Sequence, residues 1–140
     1  MIEWEEARNQ VIKTAIDKEK AKSLYLKLKE RKEAVKFLEP LRFTSIVIEN
    51  YYEIIKESLT ALMALDGYKS LSHEILISYL KKLHKEFLEH EVVFIDEMRK
   101  LRNKINYDGF KVRPQYYEMN KENILKIIEK LDKILERKLK

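Results

Sequence analysis

Cysteine is absent from this chain, and glycine and proline number only two each in 140 residues. Ordinary usage, about 7% Gly and 5% Pro, would supply roughly ten and seven. The lack of Cys excludes a disulfide scaffold, a thiolate zinc site and a cysteine nucleophile. Gly67 and Gly109 stand too far apart to form a G-x-G-x-x-G fingerprint or a P-loop, each of which needs close glycines. Few breakers also exclude collagen-like and linker-rich chains and predict long helices with little punctuation. No run of about 18 apolar residues is present, so no transmembrane helix is expected. The start, Met1-Ile2-Glu3-Trp4-Glu5-Glu6, is acidic and has no apolar h-region, so no signal peptide is expected and a cytoplasmic location follows.

What the chain has is charge and apolar periodicity. Hydrophobic residues make up 45% and charged residues 38%, against about 25% charged in an ordinary domain. This length fits one domain with a real core. Net charge is +5, a mildly basic balance that permits RNA or phosphate binding. Abundant Lys and Glu without Cys resembles hyperthermophile usage.

Apolar spacing reads helix throughout, with no strands. Residues 1–40 form an N-terminal helical segment, with Ile12, Ile16, Leu24, Leu28, Val35 and Leu38 on one face. The run Lys18-Glu19-Lys20-Ala21-Lys22 is either a solvated stretch of one helix or a break between two, and Pro40 ends the segment. Residues 41–139 are the expected core. A helix over about 41–65 ends at Asp66-Gly67, with Gly67 as a left-handed cap. Ser70 or Ser72 caps the next helix, which carries Leu76, Leu80, Leu83 and Phe87. A break near 88–91 precedes a helix over about 91–107. Residues 110–119, with Pro114, read as a loop, and Asn120 caps a last helix. The expected architecture is an all-α, up-and-down bundle of four to five helices.

Candidate chemistry is sparse. His73, His84 and His90 read as surface or boundary histidines; Glu86 and His90 share helical spacing, but no H-E-x-x-H exists, so neither metal nor cofactor is expected. The densest basic stretch is Arg99-Lys100-Leu101-Arg102-Asn103-Lys104. Its plain role is to complement a helix C-terminus; its functional role would be phosphate binding, with Arg102 as a bidentate fork and Asn103 beside it. Tyr107, Phe110, Tyr116 and Tyr117 then interleave with Lys111 and Arg113. Such a mixture either folds as an apolar lid or stacks bases and neutralises phosphates.

Two segments together resemble the HEPN domain family. Glu49-Asn50-Tyr51-Tyr52-Glu53 through Ala61-Leu62-Met63-Ala64-Leu65-Asp66-Gly67-Tyr68, followed by Ser72-His73-Glu74, is similar to its central helices. Leu101-Arg102-Asn103-Lys104-Ile105-Asn106-Tyr107-Asp108-Gly109 is similar to its Arg-Asn-x-x-x-His signature. The resemblance implies a dimerising four- to five-helix bundle. The family includes metal-independent endoribonucleases, often toxins paired with a nucleotidyltransferase antitoxin, and non-catalytic RNA- or nucleotide-binding members. Arg102 matches the motif Arg and Asn103 its polar neighbour, but Tyr107 stands where the family has His. A Tyr near its ordinary pKa of about 10 is only about 0.1% ionised at pH 7 and makes a poor general base. Gly109 occupies the position where some members carry a modified Tyr. The resemblance therefore implies a homodimer that binds RNA or a nucleotide through Arg102, Asn103, Lys104, Lys111 and His73, with weak or no catalysis. An adaptor for a nucleotidyltransferase ranks second. A ribonuclease using Arg102 with Tyr107 or His73 ranks third.

Overall fold

A computed structural model describes residues 3–7, 10–70 and 72–140, apart from the side chain of Leu83. The chain is an all-α bundle with one small sheet. In order it forms strand β1 (Val11–Lys13), helix α1 (Lys18–Val35), α2 (Thr44–Asp66), strand β2 (Tyr68–Ser70), α3 (His73–Leu83), α4 (Glu89–Asp108) and α5 (Pro114–Leu139).

Helix α2 is the centre, packing against each of the other four helices. Its composition explains this. Ile48, Tyr52, Ile55, Leu59 and Leu62 repeat at three- and four-residue spacing, and Ile54, Ala61 and Met63 widen the apolar stripe until most of the helix is buried. Ala21 and Leu28 of α1, Ile77 and Leu80 of α3, Ile95 and Met98 of α4, and Ile124, Ile127, Leu131 and Leu135 of α5 close around it. Helices α1, α4 and α5 keep a charged face toward water, whereas α3 is buried through residues 75–80 and exposes Lys81 and Lys82 at its end.

The charged run at 18–22 is the first turn of α1, not a gap between helices. The Asp17 carboxylate accepts the Lys20 backbone N–H at 2.9 Å, capping the helix at its start. Gly67 ends α2 at φ +80° and Gly109 ends α4 at φ +65°, both left-handed, as the Asp-Gly pairs lead one to expect.

Four expectations need correcting. First, strands exist: β1 pairs antiparallel with β2, Ile12 opposite Lys69. Two three-residue segments 57 positions apart carry no local periodicity, and they pair because the left-handed turn at Gly67 sends the chain back past residue 14, where Thr14 N–H donates to Gly67 C=O at 2.8 Å. Second, the break after α3 falls at residues 84–88, and α4 starts at Glu89. Glu91, three positions past Leu88, reaches back to the Leu88 N–H at 2.9 Å and fixes that start. Third, α5 begins at Pro114, not after Asn120. Proline at the first helical position loses no hydrogen bond and is preset in φ, while Asn120 lies inside the helix and donates to the Tyr116 carbonyl. Fourth, His84 is buried, not a surface group. Its Nε2 lies 2.9 Å from the Tyr79 hydroxyl and 3.1 Å from Asp66 Oδ2, and its Nδ1 lies 3.1 Å from Glu86. Ser72 occupies the cap position of α3, yet its hydroxyl makes no capping bond.

Candidate functional site

Helix α4 carries the basic segment, and its register decides what each side chain can do. Arg102 faces α2. Its Nη2 lies 2.9 Å from Glu53 Oε1, and with the Asn106 amide turned to satisfy its neighbours, Arg102 Nε donates to Asn106 Oδ1 at 3.1 Å while the amide nitrogen donates to Glu49. Glu53 also holds Lys56 at 2.7 Å. Burial works to raise the Glu53 carboxyl, but Lys56, Arg102 and Arg31 outweigh it and keep it below the usual carboxylate range. Arg102 is thus the tie between α4 and α2, and a phosphate would have to compete with Glu53 for its guanidinium.

The structure does bring His73 into this charge cluster. Burial, then Lys56 and Arg102, depress the imidazole below its ordinary range; Glu53 opposes them and Arg99 adds to them. Its ring centroid lies 6.4 Å from that of Tyr52, whose hydroxyl is pushed up by burial against the lowering pull of Arg99 and Arg102. Tyr107 is not part of the cluster. Five positions from Arg102, it lies about 140° further around the helix, and it is 78% exposed. Within the chain, then, the charge of Arg102 reaches His73 and not Tyr107. Asn103 is half-buried, and Lys104 is exposed on the outer side of α4.

Beyond Gly109 the chain turns back over the start of α2, where the Val112 N–H donates to Ser45 Oγ at 2.8 Å. This docking shapes an open groove of about 590 Å³ between the α1–α2 and α4–α5 connections. Leu41, Phe43, Ile46, Val112 and Pro114 supply apolar walls, and Arg42, Lys111 and Arg113 supply charge, with no carboxylate among the lining residues. The Arg42 guanidinium carbon lies 5.0 Å from the Phe43 ring centroid, a cation–π pair that still leaves Phe43 exposed. Of the interleaved aromatics, Phe110 is exposed beside this groove, whereas Tyr116 and Tyr117 are half-buried on α5.

Lys111 was legible as a candidate; Arg42 and Phe43 were not, because periodicity absorbed them into the helix. The available signal was Pro40-Leu41-Arg42-Phe43, in which a proline, a cation and an aromatic precede the buried Thr44 and mark a turn, not a helix interior. Glu53 and Lys56 were missed because an ion-paired acid at helical spacing looks like any solvated charge. Glu86 precedes α4 and bonds His84, so it shares no helix face with His90. No helix of the described residues is long and apolar enough to cross a membrane. No family model matches the chain, and no curated protein or solved structure matches it.

Proposed function

We propose that this chain is a HEPN-type RNA-binding protein, dimeric, with weak or no catalysis of its own. One observation carries the reading: the groove over the start of α2 joins an exposed aromatic and apolar floor to Arg42, Lys111 and Arg113, with no carboxylate among its lining residues. Single-stranded RNA asks for that combination, a platform for an unstacked base and cations along its backbone. Lys104 adds attraction on the adjoining face of α4. Asn103 and the exposed Tyr107 stand one turn apart and offer an amide and a ring to the same strand.

The engagement of Arg102 by Glu53 and Asn106 argues for binding over cleavage, since a catalytic Arg must stabilise a developing phosphorane. A nucleotide remains an alternative ligand for the same groove. The adaptor reading draws on a specific feature as well: Phe37 is 89% exposed, and Leu41, Phe43 and Ile46 are exposed nearby in the chain, a grouping suited to protein contact, including a nucleotidyltransferase or the second copy of a dimer.

Incubating the protein with labelled single-stranded RNA in chelator separates these outcomes. Retardation without cleavage, lost in Arg42→Glu/Lys111→Glu, is expected. Cleavage abolished by Arg102→Ala would move the protein to the ribonucleases of the resembled family. No retardation at low salt, together with a stable complex with a nucleotidyltransferase, would leave the adaptor.

A further inference from the structure

Some 20 Å further along α2, by its rise of 1.5 Å per residue, a second cavity of about 380 Å³ opens between α1, α2, β2 and the start of α3. Four lysines line it: Lys20, Lys27, Lys56 and Lys69. The one acid in the wall, Glu57, is already held by Arg31 through Oε1 at 2.9 Å, and Lys27 stands 3.9 Å from the same oxygen. Lys56 is paired with Glu53. Lys20 and Lys69 make no ion pair among the described residues. The wall therefore carries uncompensated positive charge.

Two further observations point to a ligand. The Ser72 hydroxyl, in the cavity wall, is buried and has no hydrogen-bond partner. Glu57 also lines the cavity, its side chain only 5% exposed, and its Oε2 bonds to nothing. A native interior rarely tolerates such orphans. The carboxylate oxygen only accepts and the hydroxyl can donate or accept, so a ligand that satisfies both must offer hydroxyl or amino donors, and any acceptor oxygen it carries can take the Ser72 proton. The Ser72 N–H is taken by Ser70 Oγ at 3.1 Å, but the first turn of α3 beyond it has no side-chain cap and presents a helix N-terminus suited to an anion.

We propose that this cavity binds a phosphorylated sugar, its phosphate held by the lysine wall and the start of α3, its hydroxyls donating to Glu57. The volume is in the range of small-molecule sites. The site is separate from the groove at the other end of α2, so neither reading depends on the other.

The test is a titration of the full chain followed by backbone amide shifts, with ribose 5-phosphate, ribose and inorganic phosphate as probes. Ribose 5-phosphate is expected to give saturable shifts around residues 68–76. Half-saturation should come at least about tenfold lower than with phosphate or ribose alone, a gain of about 1.4 kcal/mol from joining the two halves. Adenosine 5′-monophosphate tests the source: tighter binding than ribose 5-phosphate would place the sugar phosphate within a nucleotide, and equal binding would place it in a free sugar ester. Lys20→Glu/Lys69→Glu changes two exposed side chains and should weaken binding about tenfold or more at an unchanged unfolding midpoint. Absence of saturable shifts with either ester, equal binding of phosphate alone, or indifference to the double substitution would overturn the proposal. RNA retardation by the double variant reports on the other groove, so loss of one reading is distinguishable from loss of the other.

Discussion

At the scale of single residues, the two glycines are not equivalent although both sit at positive φ. A Cβ on Gly67 would stand 2.9 Å from the Thr14 carbonyl oxygen, whereas one on Gly109 meets nothing within 4 Å. Gly109→Ala should cost only the left-handed backbone penalty, about 1–2 kcal/mol. Gly67→Ala carries the same penalty plus the clash that would pry β1 from β2, and should be the worse of the pair in urea unfolding. Equal losses would mean that the β1–β2 contact does not constrain the turn. His73 gives a prediction with a sign. Its folded pKa is lowered by burial and by Lys56 and Arg102, so the unfolded chain takes up the proton first, and stability falls as pH drops below about 6.5. The carboxyls of Glu53 and Asp66 are held low against the opposing effect of burial. Their stabilisation is complete above the ordinary carboxylate range and fades only below about pH 4. A urea midpoint followed from pH 7.5 to 5 should decline in the wild type and flatten in His73→Asn. An unchanged decline in that variant would assign the upper window to another group. Arg102→Ala leaves Glu53 with Lys56 and the field of Arg31 and should destabilise by about 2–3 kcal/mol, less than a fully orphaned buried charge. Unfolding must therefore be measured before any loss of RNA binding by that variant is read as a lost contact.

At the scale of elements, the buried junction of α2, α3 and α5 rests on one polar network. The Tyr79 hydroxyl donates to Asp66, Asp66 also takes Lys138 from the end of α5 at 3.0 Å, and His84 closes the ring from the turn after α3. Desolvation and the Asp66 carboxylate push the Tyr79 hydroxyl far above its ordinary range, so it stays a donor at any working pH. Tyr79→Phe removes that donor and should cost about 1–3 kcal/mol. Lys138→Ala acts at a partly exposed pair and should cost under about 1 kcal/mol. If the two cost the same, the network is not organised around the tyrosine. Much of the element order was legible in the sequence because 3.6-residue periodicity is strong along 44–66 and 124–135, and because Asp66-Gly67 and Asp108-Gly109 stop helices unambiguously. The start of α5 was not, since a proline reads as a breaker unless its place at the first helical turn is known. The β1–β2 pair was not, since three residues show no period and their partner lies far along the chain. Burial of His84 was not, since a histidine between lysines looks solvated until Tyr79 and Asp66 are brought to it.

At the scale of the whole molecule, α2 works as a spine with a groove near each end. Lys111 and the Arg102 segment were readable because cations and aromatics cluster there in the chain, but the partners that define their surroundings, Phe43 and Arg42 on one side and Glu53 on the other, come from α2 and its approach. Only the packing of α4 on α2 distinguishes Arg102, a tie within the fold, from Lys111, an exposed cation at a groove. In the proposed function this groove binds single-stranded RNA through three cations and an aromatic floor. Its most direct test is fluorescence anisotropy of a labelled single-stranded RNA across a salt series. A log–log slope of about −2 is expected for three neutralised phosphates. In Arg42→Glu/Lys111→Glu the affinity should fall and the slope should shrink toward zero, with folding unchanged. A wild-type protein that fails to bind RNA at low salt, or a double variant that keeps the wild-type affinity and slope, would contradict it.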